Sequence, residues 1–305
     1  MVPGAEDDAR SSRETDGRRW VKPGTLYLVG TPIGNLSDIG RRALEVLAEV
    51  DLIAAEDTRV SGVWLRTAGI KTPLISFHAH SSPARIEAIV DRLREGQAVA
   101  VITDAGMPAV ADPGRELVEA AAAAGVPVSA VPGPNAAVTA FALSGFPLPV
   151  TLWGFLPARG REREEAVAQL VAGTGTQVFY EAPHRIRRTL EDLAPRLGDR
   201  RLVVARELTK VHEEVWRGDI AGALAWLHAH PPRGEFTVVV GPRQAPQAAE
   251  PSWDALLARV AEAVAGGMSD REAVRAVAGA VGVSRRELYR RWHRAIVKRP
   301  GTATD

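Results

Sequence analysis

The chain has 305 residues, with 38 lysines and arginines against 37 aspartates and glutamates, so its formal net charge is +1. This balance excludes a protein that binds nucleic acid through bulk positive charge, whereas a hydrophobic fraction of 46% excludes disorder over most of the chain, and the length predicts about two domains. Cysteine is absent, which excludes disulfides, thiolate nucleophiles and thiolate metal sites and favours a reducing, cytoplasmic location.

The chain has a highly charged segment at its start and an uncharged segment near its middle. Residues 1–22 carry five acids, five bases and almost no apolar residue, which predicts a solvated, disordered tail and not a signal peptide. Residues 120–158 carry no charge, but six prolines interrupt them. A membrane-spanning helix needs about 20 uninterrupted apolar residues. We therefore expect no membrane association.

From Thr25 onward, short β-branched runs alternate with helical patterns, which predicts βα units around a largely parallel sheet. Strands are predicted first at 25–30, 51–55, 73–77, 98–103 and 126–131, with helices that begin near Ser37, Thr58, Ser82 and Pro113. A second series has strands at 150–155, 176–181, 201–206 and 235–241, with helices at 161–171, 184–194 and 219–229. A proline-rich turn at 147–150 separates the two series.

The last part of the chain is helical and basic. Three helices are predicted at 252–266, 269–279 and 284–297, and Gly282-Val283-Ser284 resembles the turn of a helix-turn-helix. Residues 285–299 hold seven bases and one acid, which makes Arg285, Arg286 and Arg290 candidates for binding RNA phosphates. The predicted domains are a tail at 1–22, α/β domains at 23–148 and 149–241, a linker at 242–251 and a basic three-helix extension at 252–305.

Three loops after predicted strands are built from glycine, proline and small residues. Open α/β sheets bind ligands beyond the carboxyl ends of their strands, and such loops let a flat ligand approach the main chain. The first loop matches neither a P-loop nor a dinucleotide fingerprint. We therefore predict a nucleoside-like cofactor that the main chain recognises. The candidate residues are Thr31, Pro32, Gly34, Asn35, Asp104, Ala105, Gly106, Pro132, Gly133, Asn135 and Ala136.

Seven motifs in order resemble one known family. They are Gly30–Leu36, Ala55–Arg59, Thr103–Gly106, Pro132–Pro134, Gly154–Pro157, Tyr180–Arg185 and Arg206–Lys210. Together they resemble the ribosomal RNA small subunit methyltransferase I (RsmI) family of the tetrapyrrole methylase superfamily, and the C-terminal helices look like its extension. The resemblance implies two α/β domains with S-adenosyl-L-methionine in the cleft between them, and usually a homodimer. It also implies methylation of a cytidine ribose 2′-hydroxyl in the decoding centre of 16S rRNA.

Methyl transfer to a ribose requires activation of the acceptor hydroxyl. A neutral ribose hydroxyl is a poor nucleophile, so a base or a cation that stabilises the developing alkoxide is expected beside it. Only four lysines occur against 34 arginines, which indicates that Lys210 serves as a compact, titratable ammonium; an ordinary ion pair with Glu207 or Glu214 is the alternative. Candidate catalytic residues at strand ends are Lys210, His184, Glu181 and Asp57. Candidate substrate-binding residues there are Arg59, His78, Arg185, Arg206 and Glu207, with the arginines on RNA phosphates.

Three alternatives fit parts of the sequence. His78 with His80, and His228 with His230, have the spacing of paired metal ligands, but neither pair has a third ligand nearby, so no metal site is predicted. The chain is alternatively another superfamily member that methylates a tetrapyrrole or the modified histidine of elongation factor 2. The other alternative is a DNA-binding regulator, with a ligand-sensing α/β part and a C-terminal helix-turn-helix.

Overall fold

A computed structural model describes residues 20–243 and residues 252–297, which form two compact units. Residues 1–19 of the predicted tail, residues 244–251 of the predicted linker and residues 298–305 of the predicted extension lie outside the described residues.

The first unit begins with a parallel five-stranded sheet. Its strands are β1 (Leu26–Val29), β2 (Leu52–Ala55), β3 (Leu74–Ser76), β4 (Val99–Ile102) and β5 (Val128–Val131), in the order β3-β2-β4-β1-β5. Every residue of β2 and β4 is buried, as expected for central strands covered on both faces. Successive residues alternate between two apolar layers, so that Ile53 and Ala55 face one layer and Leu52 and Ala54 face the other.

Helices follow these strands and cover the sheet. They are α1 (Arg41–Glu49), α2 (Thr58–Thr67), α3 (Pro83–Arg94), α4 (Arg115–Ala123) and α5 (Ala136–Ser144). Asp57 and Ser82 cap α2 and α3 through their side-chain oxygens. The predicted helix start near Ser37 is wrong, because Leu36–Asp38 forms a short 3-10 turn that the side chain of Asn35 caps, and the extended Ile39 ends it before α1 begins.

The second sheet of this unit is mixed. Its strands are β6 (Val150–Phe155), β7 (Thr176–Glu181), β8 (Leu202–Arg206), β9 (Glu214–Gly218) and β10 (Phe236–Val240), in the order β6-β7-β10-β8-β9. The helices α6 (Gly160–Ala172), α7 (Ile186–Leu197) and α8 (Ile220–Ala229) accompany them. Strands β6 and β7 are parallel, whereas β10 is antiparallel to β7 and β8, and β9 is antiparallel to β8. The expected largely parallel arrangement is therefore wrong for the second series, since a short connection returns the chain from β8 directly into β9.

Two elements had no recognisable pattern in the sequence. Strand β9 is only half-buried along its length, and α5 is apolar on all sides, so neither shows the periodicity that predicts a strand or helix. Helix α5 has a central position nonetheless. Its Ala137 and Ala140 pack with Ile33 against Val178 and Val239 of the second sheet. This apolar layer joins the two sheets and places the loops of the first beside the strand ends of the second.

The second unit contains the predicted three helices, α9 (Trp253–Ala265), α10 (Asp270–Val281) and α11 (Arg285–Val297). A capping box of Ser269 and Glu272 begins α10, and Gly282 in the left-handed conformation ends it. Leu288 and Trp292 of α11 pack into the core of this unit. Among the described helices of the whole chain, none has both the length and the apolar character that a membrane crossing requires.

Candidate active site

A cavity of about 280 Å³ opens where the loops of the first sheet meet the second sheet. Three groups of residues form most of its lining, and Ile33, Leu208 and Glu235 also contribute. The loop after β4 contributes Ala105, Gly106, Met107, Val110, Ala111 and Asp112; the start of α5 contributes Asn135 and Ala136; the second sheet contributes Phe155, Tyr180, Glu181, Phe236 and Thr237. The lining is largely apolar with a few polar groups, which is typical of a site for a small organic ligand.

Close backbone contacts hold the loops around this cavity. Thr31 exchanges two main-chain hydrogen bonds with Gly106, at 2.9 and 3.2 Å, and its buried hydroxyl donates to the carbonyl of Thr103 at 3.0 Å. Gly30 and Gly133 touch through their main chains, because a Cβ atom added to Gly133 would lie 2.8 Å from the Cα of Gly30. Only glycine fits this contact, so the loops after β1, β4 and β5 are held in one arrangement.

The predicted cofactor residues divide into two groups. Ala105, Gly106, Asn135 and Ala136 line the cavity. The other seven do not line it; they are Thr31, Pro32, Gly34, Asn35, Asp104, Pro132 and Gly133. Among these, Thr31 and Gly133 hold the loops in place, and their direct contact with a cofactor stays a prediction.

Lys210 is engaged by two carboxylates. Its Nζ atom lies 2.9 Å from Oε1 of Glu207 and 2.8 Å from Oε2 of Glu235. Partial burial disfavours the ammonium, but the hydrogen bonds and charges of Glu235 and Glu207 outweigh burial and raise the pKa of Lys210. Because a base must be deprotonated, proton removal by Lys210 does not fit this arrangement. The expected ion pair with Glu207 is present, and Glu235 takes the place that was predicted for Glu214.

Glu181 and Arg185 form a buried ion pair. The side chain of Glu181 is completely buried and accepts hydrogen bonds from Ala182 N at 2.9 Å, Thr189 Oγ1 at 2.6 Å and Arg185 Nη2 at 3.3 Å. The Nε atom of Arg185 lies 3.0 Å from Oε1 of Glu181 in the ion pair. Arg185 also donates to the carbonyl of Leu156 at 2.6 Å. These contacts occupy both groups and favour a structural role. The catalytic role of Glu181 and the phosphate contact of Arg185 stay predictions.

Asp57 is bound by Arg59. The carboxylate accepts hydrogen bonds from the main-chain N of Arg59 at 2.8 Å and from its guanidinium at 2.6 and 3.1 Å. These bonds hold the pKa of Asp57 far below its usual range. Such a carboxylate is a weak proton acceptor, so the arrangement disfavours the predicted catalytic role. The side chain of Arg59 is 89% exposed and accessible to an anionic ligand.

The remaining predicted residues lie outside the cavity lining. His184 is exposed after β7, and His78 is exposed after the edge strand β3, where its Nδ1 atom accepts a hydrogen bond from His80 N at 3.2 Å. Arg206 donates to Glu214 at 2.9 Å, and Glu207 accepts from Lys210 and from the main-chain N of Glu235. Within residues 20–243 and 252–297, no cluster of three or more histidine and acidic side chains is arranged to hold a metal ion.

Sequence reasoning missed Asp112 and the aromatic wall of the cavity. Burial raises the pKa of Asp112 to about 6, and the charges of Glu56, Asp104 and Glu235 contribute to the increase. Tyr180 accepts a hydrogen bond from Ala137 N at 3.2 Å, and its ring centroid lies 5.4 Å from that of Phe155. One signal for Asp112 is present in the sequence, since it is an acid within a loop of small residues and directly precedes Pro113-Gly114.

Comparison with known proteins places this site in a family. The family model for tetrapyrrole (corrin/porphyrin) methylases matches residues 25–224. The protein named ribosomal RNA small subunit methyltransferase I from Halalkalibacterium halodurans is 41% identical over 274 residues, which cover 88% of this chain and 95% of that protein. The chain belongs to the ribosomal RNA small subunit methyltransferase I family. A relative of the same name from Thermotoga maritima is 46% identical over 222 residues, 72% of this chain and 100% of that protein.

Solved structures of tetrapyrrole methylases share the fold of this methyltransferase I family member. The uroporphyrin-III-C-methyltransferase of Thermus thermophilus is 25% identical, with a TM-score of 0.53 over 72% of this chain and 94% of the other. A diphthine synthase is 13% identical, with a TM-score of 0.56 over 71% of this chain and 89% of the other. The second likeness is one of fold alone. The predicted fold class, tetrapyrrole methylase α/β sheets followed by C-terminal helices, is confirmed.

The C-terminal unit of this methyltransferase I family member has a basic cavity of its own. Arg271 of α10 and Arg285, Arg286 and Tyr289 of α11 line a recess of about 400 Å³. Among the hydrogen bonds and ion pairs within the described residues, none involves the three guanidinium groups. Arg290, by contrast, is paired with Glu287. The structure thus brings together two predicted phosphate-binding arginines and adds Arg271 to them.

Proposed function

We propose that the protein transfers a methyl group from S-adenosyl-L-methionine to the ribose 2′-hydroxyl of a cytidine in the decoding centre of 16S rRNA. The observation that carries this proposal is the likeness to proteins named ribosomal RNA small subunit methyltransferase I, at 41% identity over 88% of the chain. A substrate within the small ribosomal subunit also implies that the protein acts in the cytoplasm.

The residues around the cavity fit this cofactor. Small residues at Ala105, Gly106 and Ala136 leave room for a nucleoside, and Phe155 and Tyr180 offer an aromatic wall. S-adenosyl-L-methionine carries a sulfonium and an ammonium cation. The acidic side chains near the cavity, which include Glu56 and Glu235, produce a local negative potential that favours such a ligand.

When bound, S-adenosyl-L-methionine supplies an activated methyl group, so the protein has three remaining tasks. It must align the acceptor oxygen with the methyl carbon, exclude water and accept the proton of the hydroxyl. The fixed loops at Thr31–Gly106 and Gly30–Gly133 support alignment, because they leave the cavity wall little freedom to move. Lys210 is held protonated by its two glutamates, so it is not the group that accepts this proton.

The basic cavity of the C-terminal unit is the best candidate for an RNA contact. Arg271, Arg285 and Arg286 converge on one recess with charges that no described acid neutralises, and the ring of Tyr289 offers a surface for stacking. Each phosphate contact lowers the slope of log affinity against log salt by about 0.7–0.9. Replacing all three arginines by glutamine should therefore make the slope of log affinity against log salt, measured for small-subunit binding, less negative by about 2–3.

A matched control separates this site from general electrostatics. Glutamine at Arg259, Arg275 and Arg294 removes the same number of charges from other positions of the same unit, all exposed. This control should change the slope less than the triple replacement at the recess. Equal slopes for the two triple variants would contradict a localised phosphate site.

A homodimer is proposed on the basis of exposed apolar residues in the uncharged stretch. Val138, Leu143, Leu148 and Leu152 are exposed, Leu148 to 72%. Large exposed apolar side chains are common at protein–protein interfaces. Replacing Leu148 by aspartate should shift the molecular mass measured by sedimentation from dimer to monomer. A wild-type chain that sediments as a monomer would contradict the proposal.

The decisive test of the activity uses under-methylated small ribosomal subunits and labelled S-adenosyl-L-methionine, followed by mapping of the label. Label at a ribose oxygen of one cytidine in 16S rRNA is the expected result. Label on a tetrapyrrole or on elongation factor 2 would favour another activity of the superfamily. Specific binding to DNA without methyl transfer would instead favour the regulator.

A further inference from the structure

Asp112 occupies a fixed position at the cavity. It lies in the loop between β4 and α4, lines the cavity and is only partly exposed. The loop is closed by a hydrogen bond from Ala109 N to Pro113 O at 3.2 Å, and Ala109 has a positive φ of 65°. A Cβ atom at Gly114, whose φ is 138°, would meet Ala109 N at 3.2 Å. This tight packing fixes the backbone on both sides of the carboxylate.

The surroundings of Asp112 make its carboxylate a better proton acceptor than an ordinary one. Its pKa is raised to about 6. Burial is the largest cause, and the charges of Glu56 after β2, Asp104 after β4 and Glu235 before β10 add to the increase. No hydrogen bond from the described residues lowers this pKa. Tyr180 of β7 lines the same cavity; burial raises the pKa of its phenol, and the charge of Asp112 adds to the increase. The carboxylate is thus ionised at neutral pH, unpaired and unusually basic.

The other titratable side chains near the cavity are committed elsewhere. Glu181 is buried within its hydrogen bonds to Arg185 and Thr189, and Lys210 is held as an ammonium by Glu207 and Glu235. Glu181 and Glu235 also line the cavity, but each is paired with a cation, Arg185 or Lys210. Asp112 lines the cavity without such a partner among the described residues, and its loop is held in place.

We propose that Asp112 is the catalytic base of the methyl transfer, a step that rests on the proposed function. Its carboxylate accepts the proton of the ribose 2′-hydroxyl as the hydroxyl oxygen forms its bond to the methyl carbon. The bond between that carbon and the sulfonium sulfur breaks, and its electron pair stays on the sulfur, which becomes neutral. The carboxyl group of Asp112 then returns its proton to water.

The first test replaces Asp112 by asparagine, which keeps the shape and removes the basic oxygen. The maximal rate should fall by about 100-fold or more, the size of general-base catalysis. The rate of the wild-type enzyme should rise with pH through an inflection near pH 6, and this inflection should be absent from the variant. Calorimetric titration should give a dissociation constant for S-adenosyl-L-methionine within about threefold of wild type, since the cavity shape is retained.

The second test changes the environment of Asp112 without touching it. In the wild type, Asp104 N donates a hydrogen bond to the Glu56 carboxylate at 3.2 Å. The amide oxygen of the Glu56→Gln variant can still accept this bond, but the variant lacks the negative charge near Asp112. The inflection of the rate profile should move to lower pH. Titration of the Asp112 carboxyl, followed by its carbon chemical shift, should move in the same direction.

Three results would overturn the assignment. One is an Asp112→Asn variant with a rate close to wild type; the second is a loss of cofactor affinity with an unchanged maximal rate, which would make Asp112 a binding residue. The third is an inflection that stays in place in Glu56→Gln. All three presuppose a wild-type enzyme that methylates 16S rRNA, so they differ from failure of the proposed function, in which wild type itself leaves the subunit unlabelled.

Discussion

Replacing Arg185 by methionine tests whether the buried ion pair with Glu181 is structural. The carboxylate of Glu181 is 0% exposed, and the guanidinium contacts it at 3.0 and 3.3 Å. Without Arg185, Glu181 keeps the Ala182 N–H and the Thr189 hydroxyl but has no countercharge. Removing one partner of a buried pair costs about 3–5 kcal/mol. The 22% exposure of Arg185 admits some water, so we expect about 3 kcal/mol.

The free energy of unfolding is measured by urea denaturation followed by circular dichroism. Arg188→Met is the matched control, since Arg188 is exposed in α7, the helix that Arg185 precedes, and its loss should cost less than about 0.5 kcal/mol. A double variant, Arg185→Met with Glu181→Leu, should recover most of the loss, because no buried charge is left unpaired. A loss below about 1 kcal/mol in Arg185→Met, together with strongly weakened small-subunit binding, would refute the structural reading and support the predicted phosphate contact.

Three further predictions concern single positions. Gly133→Ala should raise the cofactor dissociation constant at least about tenfold by calorimetry, because its Cβ would lie 2.8 Å from Gly30; unchanged affinity would contradict this. Gly279→Ala, in a helix with open space around it, should stabilise the protein by about 0.5–1 kcal/mol in thermal unfolding, and any destabilisation would be inconsistent with that space. Asp112→Asn should be more stable than wild type at pH 7 by about 1–2 kcal/mol, allowing for partial exposure. The folded protein keeps the Asp112 proton up to about pH 6, whereas the unfolded chain loses it near pH 3.8. The free energy of unfolding of the wild type therefore falls as the pH rises from 3.8 to about 6. Urea unfolding that gives the same difference at pH 4 and pH 7 would count against the raised pKa.

Much of the fold could be predicted because local signals and burial agree. The buried runs at β2 and β4 are continuous apolar stretches, and Asp57 and Ser82 cap helices in the positions that their sequence context predicts. The glycines at 30 and 133 belong to motifs visible in the sequence, and their contact explains why these motifs contain glycine. Elements without a pattern, such as α5, could not be predicted, because their burial comes from packing between the two sheets.

The sequence by itself determined the kind of site: glycine-rich loops at strand ends, a family resemblance and a basic C-terminal unit. Only the tertiary structure decided which polar residues are free to act. Glu181 is charged and close to the cavity, yet it is saturated by partners, whereas Asp112 has none among the described residues. The reason is that desolvation and Coulomb energies depend on distances in space. Glu56, Asp112 and Glu235 lie far apart along the chain, and only folding brings their charges within range of one another.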